Sequence, residues 1–93
     1  MNICILDGST LNPGDLTWEA IETFGTLNIY DRTAPNQVVE RSKDADILIV
    51  NKVKLDQSLL KKLPKLKLIC ISATGFDNVD IQAAKALKIA VCN

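Results

Sequence analysis

The chain has 93 residues, enough for one small domain. Its 11 Lys and Arg offset its 11 Asp and Glu. That balance gives no electrostatic case for nucleic acid or an anionic membrane, and no apolar run approaches the roughly 18 residues of a membrane span.

The first apolar run, Ile3-Cys4-Ile5-Leu6, reads as a strand and leads into the small-residue loop Asp7-Gly8-Ser9-Thr10. Leu16, Ala20, Ile21 and Phe24 then recur at helical spacing, and Gly25 stops that helix. Leu27-Asn28-Ile29-Tyr30 alternates apolar with polar, as an edge strand does. Asn36 is the expected cap of a short helix carrying Val38, Val39 and Ser42. Ile47-Leu48-Ile49-Val50 is the third strand. Asp56 caps the next helix, with Leu59, Leu60 and Leu63 inward and Pro64 beyond its end. Leu68-Ile69-Cys70-Ile71 is the fourth strand. It opens into Ser72-Ala73-Thr74-Gly75-Phe76-Asp77-Asn78, after which Asp80 caps a helix with Ala83, Ala84 and Leu87 on one stripe. Ile89-Ala90-Val91-Cys92 is the fifth strand. Apolar runs without alternation fit strands covered on both faces. The order βαβαβαβαβ predicts a flavodoxin-like α/β fold, a doubly wound parallel sheet in the order 2-1-3-4-5, lacking a closing C-terminal helix.

Histidine is absent. No Ser-His-Asp or Cys-His arrangement can be built, and proton transfer near neutral pH is left to carboxylates, lysines or another segment. Cys4, Cys70 and Cys92 sit in apolar runs. Their odd number, wide spacing and apolar neighbours read as buried free thiols in a reducing, cytoplasmic setting, and the lack of His and of C-x-x-C speaks against a zinc site. No secretory signal pattern opens the chain. The glycines Gly8, Gly14, Gly25 and Gly75 fit no dinucleotide fingerprint, and no phosphate-binding G-x-x-x-x-G-K-[ST] occurs.

Candidate chemistry gathers at the carboxyl ends of the strands, where α/β proteins place ligands. Lys52 offers a cation, and Thr74 and Gly75 offer backbone N–H groups, a combination suited to a small carboxylate or phosphate. The plainer alternatives are a solvated lysine and a structural turn. A stand-alone flavodoxin-like binding or interaction module is the competing reading; the flavin version of it lacks a pair of aromatics on later loops. A phospho-receiver fails because Asn51 and Asn93 stand at the ends of strands three and five.

Several stretches together resemble one family. They are Ile5-Leu6-Asp7-Gly8 with Leu11-Asn12-Pro13-Gly14-Asp15, Tyr30-Asp31-Arg32-Thr33, Ala45-Asp46 leading to Asn51-Lys52-Val53, Leu63-Pro64-Lys65-Leu66-Lys67-Leu68-Ile69, Ala73-Thr74-Gly75-Phe76-Asp77-Asn78-Val79-Asp80, and Ile89-Ala90-Val91-Cys92-Asn93. In this order they resemble the N-terminal part of the D-isomer-specific 2-hydroxyacid dehydrogenases, most of all the glycerate dehydrogenase (hydroxypyruvate reductase) branch.

The resemblance implies a substrate-binding domain, residues 1–93, whose chain crosses at Asn93 into an NAD-binding Rossmann domain. The Arg, Glu and His that run hydride and proton transfer lie in or beyond that inserted domain. By analogy, Thr74 and Gly75 hold the substrate carboxylate while Asn51, Lys52 and Val53 line the cleft. The parent enzyme would interconvert a glycerate-like D-2-hydroxy acid and its 2-keto acid with NAD. The 93-residue chain alone is expected to bind no NAD, to be inactive, and to self-associate, through the fifth-strand end of its sheet or by exchanging a terminal element with a second copy.

Overall fold

The computed structural model describes residues 1–8, 23, 25–71 and 78–92. Five short strands form one all-parallel sheet: β1 (Asn2–Ile5), β2 (Thr26–Ile29), β3 (Ile47–Val50), β4 (Leu68–Ile71) and β5 (Ala90–Cys92). Their spatial order is β2-β1-β3-β4-β5, the order expected from the sequence. The register places Cys4 beside Leu48, Leu48 beside Ile69, and Ile69 beside Val91. The expected helix over Leu16–Phe24 lies outside the described residues.

Among the described residues, three short helices link the strands: α1 (Val38–Ser42), α2 (Gln57–Leu60) and α3 (Ile81–Ala86). Asp56 and Asp80 act as the expected caps. Their carboxylates accept from the N–H of Leu59 at 2.9 Å and of Ala83 at 3.0 Å, which satisfies donors that an isolated helix start leaves unpaired. Asn36 does not cap α1. It lies inside a 3-10 turn, Pro35–Gln37, that runs straight into the helix. Pro35 fixes the first φ of that turn, and Gln37 reaches back to accept from the Ala34 N–H at 3.1 Å.

Leu87 also departs from its expected place, being exposed rather than inward. The helix has already ended. The Ile89 N–H donates to Ala84 C=O at 2.8 Å and the Lys88 N–H to Lys85 C=O at 3.1 Å. Lys88 takes a positive φ of 62° between them. This pair of bonds closes the helix with a left-handed residue and turns Ile89, rather than Leu87, into the core.

The sheet has two unlike faces. Cys4, Leu6, Leu48, Val50, Ile69 and Ile71 point to the side carrying the three described helices, where they pack with Val38, Leu60, Ala83 and Ala84. Opposite them, Ile3 and Ile5 are buried, while Ile47, Ile49, Leu68 and Cys70 are half-buried and Ala90 and Cys92 are exposed. Among the described residues, burial fades from β1 to β5 on this second face.

Among the described residues, two glycines sit where a Cβ would crowd a neighbour. A Cβ on Gly8 would meet Ile29 Cγ2 at 3.0 Å, because the chain leaving β1 runs close against β2. Gly25 has φ +154° and sits against the Met1 carbonyl where a Cβ would collide. One buried group stays unsatisfied among the described residues, the hydroxyl of Ser42 on α1.

Candidate functional site at the sheet's switch point

The chain leaves β1 toward β2 on one side and reaches β3 on the other. Sheets of this order leave a crevice between β1 and β3, outside their carboxyl ends. Asp7, two residues beyond β1, lies there and is only 5% exposed. Its carboxylate accepts from the Asn51 N–H at 2.9 and 3.0 Å and from the Lys52 N–H just after β3. A charged acceptor bonded to two successive amides fixes where the β3–α2 loop begins.

A second set of bonds fixes the β2 side. The Thr33 hydroxyl donates to Leu6 C=O at 2.6 Å. Arg41 on α1 donates from Nη1 to Arg32 C=O at 2.7 Å and to Thr33 Oγ1 at 3.0 Å. Its guanidinium lies 4.3 Å from the centre of the Tyr30 ring, a cation–π distance.

A third set closes the β4 side. Asn78, the first described residue after 72–77, donates from Nδ2 to Val53 C=O at 2.8 Å. Leu55 and Val79 form a parallel bridge, with Leu55 N–H to Asn78 C=O at 2.7 Å and Asp80 N–H to Leu55 C=O at 2.9 Å.

These bonds frame a cleft of about 680 Å³. Apolar walls come from Pro35, Val38, Val39, Val53 and Leu59. Charged groups at its edges are Arg32, Lys52, Lys54 and Lys62, with Asp7 and Asp56. Four cations face two carboxylates, so the cleft is biased toward an anion. Asp56 is held below the usual carboxylate range, first by the Leu59 N–H and then by the Ser58 hydroxyl. Among the described residues there is no group of three or more His, Cys, Asp and Glu placed to hold a metal, and no helix long and apolar enough to cross a membrane.

Of the residues singled out from sequence, Lys52 and Val53 line the cleft. Asn51 stands next to them with its backbone N–H committed to Asp7. Thr74 and Gly75 lie outside the described residues. Sequence reasoning named Asp7 only as part of a loop and missed its role as the anchor of that site. The available signal was an acid directly after a continuously apolar strand.

Residues 5–93 match the family model for the D-isomer specific 2-hydroxyacid dehydrogenase, catalytic domain. The chain belongs to that family. The hydroxypyruvate reductase of Blautia hydrogenotrophica is 40% identical over 96 residues, covering 100% of this chain and 30% of that protein. The glycerate dehydrogenase of Methylorubrum extorquens is 49% identical over 65 residues, covering 69% of this chain and 21% of that protein. This dehydrogenase-family chain thus spans less than a third of either relative. Among solved structures, an NAD+-bound 3-phosphoglycerate dehydrogenase of Entamoeba histolytica superimposes with a TM-score of 0.81 at 28% identity, covering 98% of this chain and 32% of that one. An acyclic imino acid reductase in complex with NADPH and D-Arg shares the fold, with a TM-score of 0.85 at 23% identity over 98% of this chain and 30% of that one.

Proposed function

We propose that residues 1–93 form the first segment of the substrate-binding domain of an NAD-dependent oxidoreductase. It interconverts a D-2-hydroxy acid, glycerate-like in size, with its 2-keto acid. The observation that carries this reading is the Asp7 clamp, which sets Lys52 at the switch point of the sheet inside a cation-rich cleft. The acid's carboxylate would meet the Lys52 ammonium and the Thr74 and Gly75 amides, with Asn51 and Val53 beside it. The family match and the hydroxypyruvate reductase and glycerate dehydrogenase relatives support the substrate class.

The residues of this chain do not fit a dinucleotide. The Gly8 N–H, on the first loop, is bonded to Tyr30 C=O at 2.9 Å, and the four glycines make no G-x-G-x-x-G. NAD therefore belongs to a further domain. What this chain supplies is binding and orientation of the acid. With no histidine, it supplies no general base of the usual kind.

Titrating the isotope-labelled chain with D-glycerate tests the proposal. Amide shifts at Lys52, Val53, Thr74 and Gly75 are expected, with millimolar affinity of about −4 kcal/mol, because half of the site is supplied elsewhere. Lys52→Ala should weaken binding by about tenfold, roughly 1.4 kcal/mol. No shift in tens of millimolar acid, or saturable NADH binding by the same chain, overturns it.

Association with a second copy is the companion proposal. It is supported by exposed Ala90 and Cys92 beside half-buried Cys70 and Leu68, since apolar surface left in water costs about 25 cal/mol per Å². Light scattering should give a mass that rises with concentration. A constant monomer mass argues against it.

A further inference from the structure

Cys70 and Cys92 are 22 residues apart in sequence and adjacent in the sheet. The parallel register of β4 and β5 pairs them directly, so both side chains stand on the face opposite the helices. Their sulfurs lie 3.3 Å apart, with the Cys92 thiol donating to Cys70 Sγ. Cys92 is exposed and Cys70 is half-buried. The third thiol, Cys4, is buried on the other face against Arg41 C=O.

We propose that Cys70 and Cys92 are a reversible oxidation site, a dithiol that small hydroperoxides convert to a disulfide joining β4 to β5. The backbone geometry allows the bond. Neighbouring strands lie about 4.8 Å apart, within the Cα separation of roughly 4.4–6.8 Å that disulfides span. The sulfurs must close by about 1.3 Å to reach bonding length, a movement within reach of rotation about the two side-chain torsions.

The exposed thiol reacts first. The Cys92 thiolate attacks one peroxide oxygen, the O–O bond breaks, and hydroxide leaves and takes up a proton to become water. Cys92 is then a sulfenic acid. Cys70 attacks the Cys92 sulfur, the S–O bond breaks, and a second water leaves with the Cys70 proton. Two thiols lose two electrons and one peroxide becomes two waters.

Desolvation pushes the Cys70 thiol up to about 12, so it stays protonated while the exposed Cys92 reacts first. Cys4 is raised to about 11, chiefly by burial, and stays outside the reaction.

The test oxidises the reduced chain with hydrogen peroxide, blocks remaining thiols with iodoacetamide, and maps tryptic peptides without reduction. Two of the three thiols should be lost, the mass should fall by two hydrogens, and residues 68–85 should be linked to residues 89–93. Cys4 should be found alkylated in the peptide 1–32, and dithiothreitol should restore all three thiols. In urea the pairings should scramble to include Cys4, which separates a bond set by the fold from a chance one. Cys70→Ser should leave Cys92 trappable as a sulfenic acid. A disulfide-linked dimer with Cys70 alkylated, sulfinic acid on Cys92 alone, mixed pairings in the folded chain, or no loss of thiols overturns the proposal.

Discussion

Ile69→Ala is expected to destabilise the chain by about 3–4 kcal/mol, while Ile49→Ala should cost about 1–2 kcal/mol. Both remove the same atoms from neighbouring strands. Ile69 is fully buried on the helix-bearing face, where Leu60 and Ala84 belong to the same core. A truncation there leaves a cavity that short, capped helices have little freedom to fill. Ile49 stands half-buried on the open face, where water already reaches part of its surface. Urea denaturation reads the difference as a shift in midpoint at constant slope. A domain of this size has a total stability on the order of 5–10 kcal/mol, so Ile69→Val, at about 1 kcal/mol, keeps the comparison measurable. Equal costs at the two positions would refute the picture of one sealed face and one open face.

Asp7→Ala should cost about 2–3 kcal/mol, the usual worth of hydrogen bonds to a buried charged acceptor. The Asn51 and Lys52 amides lose their common acceptor, and only the more exposed one has easy access to water. Asp7→Asn should recover little. Its amide nitrogen would point a donor at a donor, since both partners are N–H groups. At roughly 4–8 °C per kcal/mol for a domain of this size, the melting temperature should fall by about 8–24 °C in the alanine variant. Hydrogen exchange should quicken at Asn51 and Lys52 before it does so in β3 itself. A loss below about 0.5 kcal/mol for both variants would mean that the loop is held by something other than Asp7.

The strands were legible because each apolar run coincides with one, and the strand order followed from the polar alternation of the second run, which fits an edge. The caps at Asp56 and Asp80 were legible too, because a cap and its partner lie within one turn. Contacts between distant segments were not. Asp7 and Asn51 are 44 residues apart, and the pairing that joins them depends on sheet register. The same holds for Cys70 and Cys92, whose separation argued for isolated buried thiols until register placed one beside the other in the open. Asn36 misled because Pro35 starts a turn one residue earlier than a cap would. Leu87 misled because helical spacing cannot show where a left-handed residue ends the helix. Thr74 and Gly75 were named from sequence and resemblance, and geometry adds to them only at Asn78, where the next described residue joins Val53.

The Leu55–Val79 bridge makes residues 53–55 and residues 78–80 a single cooperative unit. Each is bound to the other through main chain, with Asn78 spanning to Val53 as a further tie. Neither can open without breaking bonds of its neighbour. A substitution that loosens Val53 would therefore be felt at Asp80, where the following helix begins, and this part of the rim would yield to a perturbation as one piece rather than segment by segment.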